Sequence, residues 1–427
     1  MTVVTQFDTS VRHRLGQAVV TVCDASGQPL PDRTVHLEQK RHAFAFGNIG
    51  FDFLDLASRD DDLGPSTSPA FGRPSADLEG LADLWLDLFN TATLPFYWSG
   101  FEPRPGHTDT RRLLRSARWF ADRGVRLKGH PLVWHTLSPD WLLELSLDEV
   151  ELAQRLRVRR EVSDFAGLID TWDAINEAVI MPVFDRQANA ITALSRDVGR
   201  IPMIRLAVEE ARAANPAATL LINDFDLSSA YEVLIEAVLE AAIPIDGIGL
   251  QTHMHQGYRG EDAIAEILER FARYELPLHL TETTLLSGDL MPPGIEDLND
   301  YHVDSWPSTE AGEERQAEEM VRHYRSLLAH PAVASVTYWG FTDAGAWLGA
   351  PVGLVRADGT PKPSYEAMRS LLKDEWWLGP TTLRTDRLGR VAVEAFAGDF
   401  EVRVRGRVVD VQLRAGETSS IDIMIEG

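Results

Sequence analysis

Hydrophobic and polar positions along this chain change pattern twice. Near the start, apolar runs at 19–22 and 34–37 flank the turn Asp24-Ala25-Ser26-Gly27-Gln28-Pro29, which reads as strand, turn, strand. The C-terminal stretch has the same style. Segments 381–383, 391–396, 400–404, 408–413 and 420–425 are β-rich, with turns at Asp386-Arg387-Leu388-Gly389, Gly398-Asp399 and Ala415-Gly416. Between these ends, short apolar runs at 43–47, 88–94, 126–134, 168–175, 219–223, 247–251, 278–281 and 335–341 alternate with longer amphipathic stretches. The latter include 110–123, 201–214, 230–242, 263–274 and 312–330, which predict helices. Buried strands alternating with helices predict a parallel sheet, and eight strands suffice to close a barrel. The expected fold class is therefore α/β, a (β/α)8 TIM barrel with a small β-sandwich domain formed by the N- and C-terminal segments. A lone hairpin at either end would be marginal, which is why the two ends are expected to combine. The expected organisation is an N-terminal β segment at 1–42, a catalytic barrel at 43–378 and a C-terminal β segment at 379–427. An open, doubly wound sheet is the alternative. Against it, Phe46-Gly47-Asn48-Ile49-Gly50 lacks the glycine spacing and following helix of a phosphate-binding loop.

Composition narrows the function classes. The net charge of -24 is spread along the chain and repels phosphate backbones, so no nucleic-acid partner is expected. No stretch reaches the ~18 apolar residues of a membrane span, so no membrane partner is expected either. Residues 1–14 are polar and mixed in charge, unlike a signal peptide, and this predicts a cytoplasmic protein. Cys23 is the only cysteine, which excludes an intrachain disulfide and suits a reducing compartment. A homo-oligomer is compatible with all of this. Two long connections, 52–76 and 287–309, are rich in Asp, Ser, Pro and Gly, and loops of that length are usually functional or disordered. Of the eleven tryptophans, Trp98, Trp134, Trp172, Trp339 and Trp347 sit beside polar residues at predicted strand ends. Trp faces stack on sugar rings, although a core role is as good a reading of any single one.

The active site of a (β/α) barrel lies at the C-terminal ends of its strands. There the chain places His130, Trp134, His135, Asp173, Asn176, Glu177, Asn223, Asp224, Gln251, His253, His255, Glu282, Trp339, Asp343 and Trp347. Glu177 and Glu282 close two of the strands. Cleavage of a glycosidic bond needs an acid on the leaving oxygen and a carboxylate on the opposite face. Carboxyls about 5–5.5 Å apart give retention of configuration, and about 6.5–9.5 Å gives inversion. The plainer reading is that each Glu caps a helix or pairs with an Arg. Asn176 is suited to a sugar 2-hydroxyl, or else to a local backbone bond. His253 is suited to holding Glu282 ionised, or else to a satisfied place in the core. His253-Met254-His255, with His130, His135 and Asp224, also raises a metal site, but ligand-like spacing stops there. His279, within a strand, reads as structural. No metal and no cofactor is expected.

Several segments together resemble the family 10 glycoside hydrolases, the endo-β-1,4-xylanase family. They are Lys128-Gly129-His130-Pro131-Leu132-Val133-Trp134-His135, Trp172-Asp173-Ala174-Ile175-Asn176-Glu177-Ala178, Gly247-Ile248-Gly249-Leu250-Gln251-Thr252-His253, Leu280-Thr281-Glu282 and Tyr338-Trp339-Gly340-Phe341-Thr342-Asp343. Glu102-Pro103 before Gly106 also fits, and the likeness runs from about 44 to 372. The resemblance implies a TIM barrel and net retention without a cofactor. It implies Glu177 as acid/base and Glu282 as nucleophile. It implies that His130, Trp134, Asn176, Gln251 and His253 line the sugar at the cleavage point, with Trp339 and Trp347 walling the same subsite.

Two departures from the family pattern bear on specificity. Before the tryptophan matching Trp98, the family usually carries Glu, Asn and Lys that grip sugars on the non-reducing side. Here Thr93-Leu94-Pro95-Phe96-Tyr97 stands instead, mostly apolar, with Tyr97 the substrate-facing candidate. Charge-assisted hydrogen bonds worth about 1.5–3 kcal/mol each are lost with that clamp. The second departure is Thr284, where the family usually has an Asp supporting the histidine that matches His253. A hydroxyl carries no charge, so an imidazolium there is less favoured. The expected function is a retaining glycoside hydrolase acting on β-linked xylo-oligosaccharides or a related β-glycoside. A carbohydrate-binding barrel that has lost catalysis and a metal-dependent barrel hydrolase are the alternatives.

Overall fold

The computed structural model describes residues 2–4, 8–58 and 78–426. Most of the long connection expected at 52–76 lies outside the described residues. Its described start folds into the short helical turns Phe51–Phe53 and Leu54–Ala57. The chain forms two compact units, one of residues 46–319 and 332–365, the other of 1–45, 320–331 and 366–427.

In the first unit, eight strands close a barrel in chain order: Ala45–Ile49, Thr91–Pro95, Arg126–His130, Thr171–Asn176, Thr219–Asp224, Gly247–Met254, Leu278–Leu285 and Val333–Tyr338. Neighbouring strands run parallel, as their registers record from the first strand to the eighth. A parallel strand has helices over one face and the barrel interior at the other, so its sequence reads as a near-continuous apolar run. Accordingly, every residue after the first in Thr171–Asn176 and Thr219–Asp224 is buried.

Strand limits depart from the sequence reading in ways that matter for the site. The run expected at 88–94 starts at Thr91, because buried Leu88 ends the helix Leu78–Leu88. The run expected at 126–134 stops at His130, since Pro131 has no N–H to give to the ladder. The sixth and seventh strands run on to Met254 and Leu285. His253, Glu282 and Thr284 therefore stand on paired backbone, not in loops beyond it. The sequence reading also offered no helix for Leu147–Asp164. That helix starts with a capping box between Ser146 and Glu149, and its buried face carries Gln154, Arg157 and Glu161 among the apolar residues.

The second unit holds two four-stranded sheets. One runs Thr2–Val4, Arg390–Phe396, Leu15–Cys23, Thr418–Met424; the other runs Thr381–Arg384, Thr34–His42, Gly398–Val404, Arg407–Leu413. Each sheet mixes N- and C-terminal strands. Val20, Val22, Val393 and Ile423 of the first sheet share one apolar cluster with Val35, Leu37, Phe400 and Val402 of the second. The sheets thus pack face to face around one core. Among the described residues, no helix is long and apolar enough to cross a membrane.

Candidate active site

The ends of the third and fourth strands form a buried charge group. Asp173 Oδ2 accepts from Lys128 Nζ and pairs with His130 Nδ1, each at 2.7 Å. Burial alone would raise the Asp173 carboxyl, but the Lys128 charge and the His130 contact outweigh it and hold it below the usual carboxylate range. The intervening Gly129 is dictated by packing. A Cβ there would lie 2.1 Å from the Trp172 ring, so only glycine lets strand and indole approach this closely. His130 Nε2 then faces Glu282 Oε1 at 3.9 Å, too long for a hydrogen bond but close enough for charge to be felt.

Glu177 and Glu282 are joined by a relay of two amides. Asn176 Nδ2 donates to Glu177 Oε1 at 3.1 Å. Asn176 Oδ1 accepts from Asn223 Nδ2 at 2.7 Å, and the same Asn223 Nδ2 donates to Glu282 Oε1 at 3.2 Å. Thr281 Oγ1 donates to Asn223 Oδ1, which fixes the way that amide points. Gly249 makes room for it, since a Cβ there would meet Asn223 Oδ1 at 2.4 Å. Gln251 Nε2 adds a bond to Asn176 Oδ1 at 3.0 Å. Asn176 is therefore engaged by side chains, not by the local backbone bond its residue type favours. Asn223, to which sequence reasoning gave no role, is the bridge.

The two carboxyls have opposite environments. Burial raises Glu177 to about 8; the Trp134 indole, donating to Oε2 at 2.8 Å, opposes this, while the charges of Glu282 and Asp224 add to it. Burial would raise Glu282 too. There the His253 contact, at 3.1 Å from Oε2, and the charges of His130, His253 and Lys128 prevail and hold the carboxyl below its ordinary value. One carboxyl is thus kept protonated and the other ionised at neutral pH, the division of labour an acid and a nucleophile require. Glu177 also adopts a left-handed backbone with φ 56°. Strain of this kind costs about 1–3 kcal/mol and concentrates at functional sites.

Thr284 sits behind His253. Its Oγ1 lies 3.2 Å from His253 Nδ1 and accepts from the Met254 N–H at 3.2 Å. With its own hydrogen the hydroxyl can donate to His253 Nδ1, leaving Nε2–H for Glu282. A carboxylate at this position could only accept.

Aromatic side chains wall the cleft. Tyr97 packs at 5.7 Å from His130 and 5.6 Å from Trp134, and Trp339 at 5.1 Å from His130. Trp347 lies 4.9 Å from His253. Burial, followed by the charges of Glu282, Glu177 and Asp173, holds the Tyr97 hydroxyl protonated, so it can serve as a donor. Leu94 and Phe96 are buried and do not offer the cleft a less polar surface; of that segment Tyr97 alone joins the aromatic wall, together with Phe51.

Two tryptophans counted as candidates belong to the core. Trp172 is fully buried and donates to Ile169 O at 3.1 Å. Trp98 donates to Glu102 Oε2 at 3.0 Å under the Arg157 guanidinium, 4.7 Å from its ring. Arg157 pairs with Glu161 at 2.9 Å and donates to the carbonyls of Phe96 and Pro131, tying the ends of the second and third strands together. Replacing Arg157 with Met leaves the buried Glu161 carboxylate without its main partner. The expected loss is about 3–5 kcal/mol of stability, read as a lower urea midpoint at unchanged slope; a shift below about 1 kcal/mol would contradict this role.

His135 and His255 are buried against aromatic rings. Burial lowers His135 to about 4 and, with the His253 charge adding, His255 to about 3. His135 packs on Phe184, and His255 between Trp306 and Trp347. Asp224 accepts from the Val179 N–H at 3.0 Å. Among the described residues no group of three or more His, Cys, Asp or Glu is arranged to hold a metal ion. His279 bonds Ser335 at 2.8 Å within the barrel. Asp343 pairs with buried Lys362 at 2.7 Å and accepts from the Gly353 N–H, bracing the loop that carries Trp347.

Known proteins share this arrangement of segments. The profile of Glycosyl hydrolase family 10 matches residues 95–371. Endo-1,4-beta-xylanase B of Thermotoga neapolitana is 32% identical over 297 residues, covering 65% of this chain and 78% of that protein. Endo-1,4-beta-xylanase of Geobacillus stearothermophilus is 28% identical over 247 residues, covering 54% and 69%. Xylanase 10B from Thermotoga petrophila RKU-1, solved in complex with xylobiose, superposes with a TM-score of 0.60 at 23% identity over 78% of this chain and 95% of that one, a likeness of fold. With an eight-stranded closed barrel and most of its length matched to one profile, the chain belongs to glycosyl hydrolase family 10 and is a retaining glycoside hydrolase.

Proposed function

We propose that this enzyme cleaves β-linked xylo-oligosaccharides, or a related β-glycoside, by double displacement, with Glu177 as acid/base and Glu282 as nucleophile. The observation that carries this reading is the opposite tuning of two carboxyls linked through Asn176 and Asn223. In the first step Glu282 donates an electron pair to the anomeric carbon as the glycosidic C–O bond breaks. Glu177 gives its proton to the departing oxygen. In the second step Glu177, now ionised, takes a proton from water. That water attacks the anomeric carbon and releases Glu282. Two inversions give net retention.

The surrounding groups fit this sequence. The Trp134 indole holds Glu177 at one oxygen and leaves the other beside the Asn176 amide. Asn176 Nδ2 has a second hydrogen for a sugar hydroxyl, a contact that strengthens in the transition state. His253 and Asn223 hold the Glu282 carboxylate at its two oxygens. The sugar would lie against Trp339, Trp347 and Tyr97, within reach of His130 and Gln251.

The pH dependence tests the assignment. The active form has Glu177 protonated and Glu282 ionised. Activity is therefore lost as pH rises through about 8, where Glu177 gives up its proton, and as pH falls below the ordinary carboxylate value, where Glu282 gains one. A plot of kcat/KM on an aryl β-xyloside should be bell-shaped with a plateau between these limbs, its two apparent values belonging to the pair. Activity that keeps climbing above pH 9 would contradict Glu177 as the acid.

A further inference from the structure

The connection from the seventh barrel strand to the helix Glu310–Ala329 takes residues 286–309. It exceeds the ~12–15 residues beyond which a loop in a compact domain is usually functional. The fold ties it down at three places. At its foot, Leu286 and Trp306 pack with Ala346, Ala350 and Val352 of the connection after the eighth strand. Midway, the Met291 N–H donates to His255 O at 2.9 Å. Gln256 Nε2 donates to Pro292 O at 2.9 Å and to Ile295 O at 2.8 Å, so the segment runs over the end of the sixth strand. At its tip, Asp297 and Asp300 share Arg186. Arg186 Nη2 lies 3.0 Å from a carboxylate oxygen of each, and Nη1 donates to Asp300 as well.

Arg186 belongs to the connection after the fourth strand, the one that begins with Glu177. The segment 286–309 thus passes the ends of the sixth and fifth strands and meets the fourth. The fifth strand raises no wall of its own, since it ends at Asp224 and its helix starts at Ser229. The meeting point falls on the Glu177 side of the site. Phe184, two residues before Arg186, packs 4.5 Å from His135, and His135 Nε2 stands 4.0 Å from Glu177 Oε2. An acid gives its proton to the departing oxygen, so the leaving group lies on this side. A groove that cuts within a polymer has to be open on both sides of the cleaved bond.

We propose that residues 286–309 form a strap that bounds the leaving-group side of the cleft, so that the enzyme releases one sugar unit or an aglycone of similar size and does not cut within a long β-linked chain. The proposal rests on the glycosidase reading above, and adds the size of the group released. Arg186, Asp297 and Asp300 position the strap and act through it. Exposed ion pairs hold weakly, so the tip can be loosened without unfolding the barrel.

The test gives wild type and variants xylohexaose labelled with ¹⁸O at its reducing end, and the first products are weighed. Wild type should release labelled xylose and unlabelled xylopentaose. Arg186→Ala should raise the share of internal cuts about 2- to 5-fold, the range of an exposed ion pair. Arg186→Glu sets like charges against both aspartates and should raise it further. Adding Asp300→Arg to Arg186→Glu should restore the wild-type pattern. On 4-nitrophenyl β-xyloside, whose leaving group is small, all four proteins should have the same kcat/KM. First products cut from the middle of xylohexaose by wild type, or a pattern unchanged in Arg186→Glu, would overturn the proposal. If wild type turned over neither substrate, the glycosidase reading would be the one to fail, and calorimetric binding would read the strap by itself. Tighter binding of xylohexaose by Arg186→Glu, with xylobiose binding unchanged, supports the strap; equal binding of xylohexaose by both proteins overturns it.

Discussion

Replacing Glu282 with Gln is expected to lower turnover of β-glycosides by about 10⁴-fold or more, the scale seen when a covalent nucleophile is removed. The fold should survive. The amide has nearly the shape of the carboxylate but gives one oxygen where Glu282 now accepts from both Asn223 and His253. The clash of donors is relieved if His253 turns its acceptor nitrogen towards the new amide and gives its proton to the other side. Thr284 permits this, because a hydroxyl can accept from His253 Nδ1 as well as donate to it. Glu282→Ala goes further and leaves room for a small anion. Added azide should then attack from the vacated face and restore turnover, and its product should be the α-glycosyl azide. A variant with full activity in the absence of azide would remove Glu282 from the mechanism.

The second large effect is expected at Glu177, and it should depend on the leaving group. With an alcohol leaving group, as in a xylo-oligosaccharide, Glu177→Ala should cost about 10²- to 10⁴-fold, the usual contribution of general acid catalysis. With 2,4-dinitrophenolate, which needs no proton, the first step should be nearly unaffected. The second step still needs the base to activate water, so a glycosyl-enzyme should accumulate and appear as a burst. Azide needs no base. It should speed release and give the β-glycosyl azide, opposite in configuration to the Glu282→Ala product. A uniform loss across leaving groups would mean that Glu177 only supports the fold. Its left-handed backbone makes that control necessary.

Much of the barrel was legible because parallel strands, covered on both faces, leave an apolar run that local reading detects. What failed was local in another sense. The helix Leu147–Asp164 buries Arg157 and Glu161 as a pair, so its inward face reads as charged although it is core. Only the capping box at Ser146 and Glu149 gave a signal. Strand ends were misplaced where a neighbouring helix or a proline decides the boundary, as at Leu88 and Pro131. In the site, residue types at strand ends pointed to side chains that the fold brings together, and the spacing within each segment brought Asn176 beside Glu177. Their partners were not legible. Asn223 and Thr281 meet only across the fifth and seventh strands, 58 residues apart. Trp98 and Trp172 resemble sugar platforms in sequence, and only packing assigns them to the core.

The most direct test of the double-displacement account is the mass of the trapped intermediate. Glu177→Ala is mixed with 2,4-dinitrophenyl β-xyloside, quenched during the burst and weighed intact, then digested. The account expects one added xylosyl unit, carried by the peptide that contains Glu282. An active enzyme with no adduct, or with the sugar on any other residue, would contradict it.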